Sequence, residues 1–65
     1  MERNQIVKAA KELNIVLGLN PPINATWEKR KLERAIEDAV ALLQEDDKLT
    51  TETLHILEFI QNGNS

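Results

Sequence analysis

The chain has 65 residues, of which 42% are hydrophobic and 29% are charged, and it contains no cysteine. A chain of this length forms one domain, here spanning residues 1–65, and without cysteine neither a disulfide nor a thiolate metal site can reinforce it. Eight basic and eleven acidic side chains give a formal charge of −3, which disfavours a nucleic-acid partner because phosphate-binding domains are usually basic.

The first predicted helix covers residues 4–17. Asn4 is the expected N-cap, and Gly18 is the expected stop, because glycine readily takes the left-handed conformation that follows many helices. Leu19 is then expected to fold back onto the last turn. The apolar residues that recur at three- and four-residue spacing are Ile6, Ala10 (or Ala9), Leu13 and Leu17 (or Val16).

Residues 18–26 form a stiff connector, because Pro21 and Pro22 fix their φ angles and no helix can continue through them. Ile23 is the one large apolar side chain that follows the prolines, and we expect it to plug the end of the core. The connector therefore sets the angle between the helices on either side.

The second predicted helix covers residues 27–44, with Asn24 or Thr26 as its N-cap. Its first turn and a half is highly charged, with pairs expected between Lys29 and Glu33 and between Arg34 and Asp38. Its later turns carry a wide apolar face made of Leu32, Ala35, Ile36, Ala39, Val40, Leu42 and Leu43.

The third predicted helix covers residues 51–61 and follows a charged turn. Thr50 is the expected N-cap, and Leu49 and Leu54 occupy the positions of a hydrophobic staple. Its apolar residues cover more than one narrow stripe, which indicates either deep burial or a surface left for a partner.

Three helices with short connectors and no convincing strand predict an all-α, compact three-helix bundle. The predicted core consists of Ile6, Ala10, Leu13, Leu17, Ile23, Leu32, Ile36, Ala39, Leu43, Leu54, Leu57 and Ile60.

Catalytic and metal-binding patterns are weak in this sequence. His55 is the only histidine, and although Glu52 and Glu58 lie three residues to either side of it, no nucleophile or oxyanion hole accompanies them. The acidic run 45–47 lacks the alternating ligands and the glycine of a calcium loop. We expect no enzyme, cofactor, metal site or small-molecule substrate. With no apolar run near ~20 residues and no signal peptide, we also expect a cytoplasmic protein without a membrane partner.

The strongest indication of function is the basic cluster at the start of the second helix, made of Lys29, Arg30, Lys31 and Arg34. Helix dipoles favour acids at this end by roughly 0.3–1 kcal/mol per well-placed charge, so stability alone does not select these bases. Trp27, beside them, is expected to close the core, with a role in an interface as the alternative. Lys8 and Lys11 would extend the basic face if the two helix surfaces align.

Two functions therefore compete for this cluster. The favoured one is a non-catalytic protein-interaction module that contacts a protein partner, or a second copy of itself, through Trp27, Lys29, Arg30, Lys31 and Arg34, or through the outer side of the third helix. The alternative is a weak nucleic-acid binder that is not sequence-specific. The third helix, which would enter the major groove in a helix-turn-helix protein, has no lysine or arginine.

Residues 8–23, KAAKELNIVLGLNPPI, resemble a pattern found in small, mostly uncharacterised helical proteins encoded by phages and prophages. This resemblance implies a helical fold and a mobile-element origin, and it assigns no active site. The helix, extended connector and second helix are also similar to helix-extension-helix modules such as the LEM and SAP-like domains. Those that bind DNA are more basic than this chain.

Overall fold

The protein folds into three helices that contact one another pairwise around a single core. The computed structural model describes residues 2–63 and contains α1 (Arg3–Leu17), α2 (Lys29–Val40) and α3 (Thr51–Gly63), with no strand in that range. The predicted all-α three-helix bundle is confirmed.

Helix α1 begins one residue before the predicted start. Glu2, not Asn4, is the N-cap, with an extended backbone (φ −77°, ψ 149°). The N–H of Glu2 donates to Oε1 of Gln5 at 3.3 Å. At the other end Gly18 has the predicted left-handed conformation (φ 59°, ψ 43°), and Leu19 donates its N–H to the carbonyl of Asn14 at 3.2 Å. This pattern closes the helix and returns the chain toward the core.

The connector is held to α1 by the side chain of Asn14. Its Nδ2 donates to the Ile23 carbonyl at 3.0 Å, and its Oδ1 accepts the Ile23 N–H at 2.8 Å. The peptide bond between Asn20 and Pro21 is cis. Ile23 is only 8% exposed and packs into the core, which confirms its predicted position.

Helix α2 starts two residues later than predicted, and neither Asn24 nor Thr26 is its N-cap. Oδ1 of Asn24 instead accepts the backbone N–H and the hydroxyl of Thr26, at 2.8 and 2.7 Å, and the Asn24 carbonyl accepts the Trp27 N–H at 3.1 Å. These bonds form a turn, and they use the Asn24 and Thr26 side-chain groups that could otherwise have capped α2. Glu28, with φ −65° and ψ 160°, is the N-cap, so Trp27 precedes the helix.

Helix α2 also ends earlier than predicted, at Val40 rather than residue 44. The N–H of Leu42 donates to the carbonyl of Ala39 at 2.9 Å, a bond one residue shorter than the α-helical one. Asp47 then closes the following turn, because its Oδ2 accepts the Gln44 N–H at 2.9 Å. As a result Leu42, predicted on the apolar face, is 56% exposed.

Helix α3 is capped as predicted, since Oγ1 of Thr50 accepts the N–H of Thr53 at 3.3 Å. The helix continues to Gly63, two residues past the predicted end at 61.

The core differs from the predicted one mainly on α3. Leu54, predicted to be buried, is 48% exposed. Thr53 lies on the buried side of α3, and Leu54, as the next residue, points about 100° away from it around the helix. Leu17 and Leu43 are only partly buried and pack against the core, whereas Ile56, absent from the predicted core, is buried. The buried apolar residues are Ile6, Ala9, Ala10, Leu13, Ile23, Leu32, Ile36, Ala39, Ile56, Leu57 and Ile60.

Candidate interaction site

The basic start of α2, defined as Lys29, Arg30, Lys31 and Arg34, forms an exposed cationic surface. The first three residues occupy the first turn of the helix, which contains no acidic residue. Unbonded backbone N–H groups and the positive end of the helix dipole lie at the same place. The positive charge is therefore concentrated, although the protein as a whole is acidic.

Few carboxylates within the domain neutralise these bases. Arg34 and Asp38 form one of the two predicted pairs, with Nε and Oδ1 3.4 Å apart and side chains 78% and 70% exposed. An exposed pair at this spacing contributes only a few tenths of a kcal/mol. The predicted pair between Lys29 and Glu33 is not formed, since the ion pairs within residues 2–63 are that of Arg34 and one between Lys8 and Glu52 of α3.

Lys8 therefore does not extend the basic start of α2. Its Nζ lies 3.7 Å from Oε1 of Glu52, which places this lysine across the contact between α1 and α3. Lys11 is exposed on α1. The expectation of a joint basic face is thus not supported for Lys8.

Trp27 lies two residues before the basic start of α2 and has two roles in the fold. Its side chain is partly buried and packs against the core, as expected for a residue that closes it. Nζ of Lys31 lies 4.4 Å from the centroid of its ring, a cation–π contact. At an exposed site such a contact is worth about 0.5–1 kcal/mol. The ring is thus held by the core on one side and covered by a lysine on another.

The backbone around Trp27 is fixed by Arg3 of α1. Nη2 of Arg3 donates to the carbonyls of Ala25 and Trp27, at 2.7 and 2.5 Å. These bonds join residues 22 and 24 positions apart. No local sequence pattern indicates such a contact, and sequence reasoning missed Arg3.

A second polar cluster, which sequence reasoning also missed, joins α1 to the start of α3. The carboxylate of Glu12 accepts the Thr50 N–H at 2.7 Å, the Thr50 hydroxyl at 3.0 Å and the Thr53 hydroxyl at 2.8 Å. Thr53 is only 2% exposed. In a capping box a glutamate at the third helical position binds the N-cap N–H, and here Glu12 does so from another helix. The T-x-x-T spacing of Thr50 and Thr53 indicates the cap, but nothing in the sequence indicates the contact with Glu12.

This cluster perturbs the pKa of Glu12. Partial burial acts to raise it, but the hydrogen bonds from the Thr50 backbone, the Thr53 hydroxyl and the Thr50 hydroxyl stabilise the carboxylate and lower the pKa below its ordinary value. The carboxylate also lies at the N-terminus of α3, where the helix dipole favours a negative charge.

The outer side of α3, the other predicted contact surface, has no continuous apolar patch. Leu54 and Phe59 are 48% and 45% exposed. They are five positions apart, which turns them about 140° from each other around the helix. They therefore flank opposite edges of the buried stripe, while His55 and Glu58 are exposed.

Other kinds of site have little support in the described part of the chain. Residues 2–63 contain no group of three or more histidine, aspartate or glutamate side chains placed to hold a metal ion, and no pocket. None of the three helices described is long and apolar enough to cross a membrane. Comparisons of the chain with family models, with curated proteins and with solved structures find no match.

Proposed function

We propose that this protein is a non-catalytic protein-interaction module whose contact surface is the basic start of α2 together with Trp27. The observation that supports it is the exposed positive charge of Lys29, Arg30 and Lys31 on a helical turn without an acidic residue. Each base there opposes the helix dipole by roughly 0.3–1 kcal/mol. Among residues 2–63 the internal compensation is one exposed ion pair, one cation–π contact and the acidic N-cap Glu28. Bases in the first turn of α2 lower the stability of the free protein, and a partner that places negative charge against this turn would explain their presence.

The outer side of α3 is the less suitable surface. Its exposed apolar residues are separated around the helix, and an interface core needs contiguous apolar area. The partly buried Trp27, in contrast, adjoins charged residues, and tryptophan and arginine are both enriched in interface hot spots.

Weak nucleic-acid binding is the alternative use of the same bases. It is disfavoured by the charge of −3 and by the lack of lysine and arginine on α3. The resemblance of residues 8–23 to phage and prophage proteins leads us to propose that the module is an accessory protein of a mobile element.

The proposal is tested with two matched variants. The four-glutamine variant replaces Lys29, Arg30, Lys31 and Arg34 by glutamine, and the control Lys48→Gln removes one exposed base elsewhere. Immobilised wild type, variant and control are compared for the proteins they retain from a host lysate, by quantitative mass spectrometry. We expect a protein retained by wild type and control and lost with the four-glutamine variant. Equal retention by all three would place the contact surface elsewhere.

A labelled DNA duplex titrated at low and high salt tests the alternative. Phosphate contact requires binding at low salt that falls steeply as salt is raised. We expect no such binding. Sedimentation over a range of concentrations separates a different protein partner from a second copy of this chain, because only self-association raises the mass with concentration.

A further inference from the structure

We infer that the partner segment is an acidic peptide that also carries an apolar side chain, and that its carboxylates draw Lys31 away from the Trp27 ring so that the apolar side chain packs on the ring. This inference rests on the proposed function and adds the chemistry of the ligand. It also gives Trp27 and Lys31 different roles within one site, an anchor and its removable cover.

The anchor is rigid at its backbone. Arg3 donates to the carbonyls on both sides of Thr26, and Asn24 closes the turn with bonds of 2.7 to 3.1 Å. The backbone of Ile23, just before this turn, is fixed as well, because the Asn14 side chain binds both its N–H and its carbonyl. A surface that is ordered before binding loses less conformational entropy when the partner arrives.

The Lys31 side chain is much less constrained than the backbone around Trp27. Lys31 is exposed, and its Nζ is held over the Trp27 ring by the cation–π contact of 4.4 Å. A carboxylate that approaches offers the ammonium group an exposed ion pair, which contributes about as much as the exposed cation–π contact, up to about 1 kcal/mol. The apolar side chain that then packs on the ring favours the exchange, because it removes apolar surface from water. Lys31 can therefore exchange the ring for the ligand, which leaves an aromatic face open beside Lys29 and Arg30.

The charge pattern favours a peptide over a nucleic acid. Four acidic residues are interleaved with the four bases between positions 28 and 38, so this stretch has no net charge, although the first turn of α2 carries three bases and no acidic residue. A continuous phosphate backbone would meet these carboxylates as well as the bases. Separate carboxylates on a peptide can pair with single bases and avoid them. The interleaved acidic residues are Glu28, Glu33, Glu37 and Asp38.

The test is a selection from a random peptide library that contains no tryptophan. Peptides are selected on the wild type and then measured against the four-glutamine variant and the Lys48→Gln control. Since Trp27 is the only tryptophan and the chain has no tyrosine, its fluorescence reports directly on the ring. We expect enriched peptides that combine Asp or Glu with Leu, Ile or Phe, a shift of Trp27 emission on binding, and at least about tenfold weaker binding to the four-glutamine variant, as expected for the loss of several charge contacts.

Single variants test the role of Lys31 as the cover of the Trp27 ring. Lys29→Gln and Lys31→Gln each remove one charge, but the second also uncovers the ring in the free protein. We therefore expect Lys31→Gln to weaken peptide binding less than Lys29→Gln does, and to shift the emission of the free protein to longer wavelength, because the uncovered ring meets water, whereas the apolar side chain of a bound peptide shifts it to shorter wavelength. Equal losses with an unchanged emission would overturn the role of Lys31. Circular dichroism of each variant shows whether it is folded.

The remaining outcomes separate this inference from the proposed function. Enriched peptides that bind the four-glutamine variant as well as the wild type would refute the site itself. Peptides that need the four bases but contain no apolar residue, and that leave Trp27 emission unchanged, would refute only the inference. No enrichment, or tighter binding of a single-stranded oligonucleotide than of any acidic peptide, would also overturn it.

Discussion

The hydrogen-bond cluster around Glu12 makes a direct prediction for stability, tested by Glu12→Gln. The carboxylate accepts hydrogen bonds from Thr50 and Thr53 at 2.7 to 3.0 Å. Glutamine has the same size but only one accepting oxygen, and its NH₂ group faces donors. It cannot keep all of these bonds, and it loses the favourable charge at the N-terminus of α3.

The expected loss follows from the strength of these bonds. A hydrogen bond to a charged group contributes about 1.5–3 kcal/mol, and the partial exposure of Glu12 lets water replace part of that. We expect Glu12→Gln to lower the free energy of unfolding by about 1–2 kcal/mol. A domain of this size has only about 3–10 kcal/mol in total, so each kcal/mol lowers Tm by about 4–8 °C.

The pH dependence of this loss has a definite sign. Because the pKa of Glu12 is lowered in the folded protein, its contribution is present above the ordinary pKa of 4.5 and disappears as the pH falls through the folded value. The difference between wild type and Glu12→Gln should therefore be large at pH 7 and should shrink as the pH falls below 4.5. Other carboxylates titrate in both proteins and cancel in this difference.

Denaturant titration followed by Trp27 fluorescence and by circular dichroism, at pH 7 and near pH 3, measures both quantities. Glu37→Gln, at an exposed carboxylate of α2, is the matched control and should change stability by less than about 0.5 kcal/mol. A difference below about 0.5 kcal/mol for Glu12→Gln at pH 7, or one that does not shrink in acid, would refute the reasoning.

Three further predictions concern other parts of the fold. Lys29→Gln should raise the free energy of unfolding by about 0.3 kcal/mol or more in denaturant titration, because it removes a base from the positive end of a helix dipole; a loss would contradict this. Asn14→Asp should lower Tm by several degrees, a loss of about 1–2 kcal/mol, because aspartate cannot donate to the Ile23 carbonyl, and an unchanged Tm would mean that this bond adds nothing. Leu57→Asp should unfold the domain, whereas Leu54→Asp should remain folded by circular dichroism, since the two side chains are 5% and 48% exposed.

Local patterns predicted much of this fold. The left-handed Gly18 and the Thr50 cap were correct because each depends on the residue itself and its nearest neighbours. The apolar stripe of α1 was correct for the same reason, except that Leu17 is only partly buried. The ends of α2 were not, because the turn made by Asn24 and the turn closed by Asp47 compete with helix over several residues.

Long-range contacts could not be predicted from spacing. Arg3 and Glu12 act on residues 22 to 41 positions away, and either side chain would have been assigned to solvent from its place on α1. The exposed bases of α2 could be identified from the sequence, because bases in the first turn of a helix oppose the helix dipole. The contact between Trp27 and Lys31, in contrast, joins residues only four positions apart, a spacing that could have indicated it.

The most direct test of the proposed contact surface is an NMR titration of the ¹⁵N-labelled protein with the partner or peptide that the wild type retains. Backbone amide shifts identify the residues that the ligand touches. The proposed surface predicts that the largest changes lie within residues 27–34, with Trp27 and Lys31 among them. Changes concentrated on α3, with residues 27–34 unaffected, would contradict it.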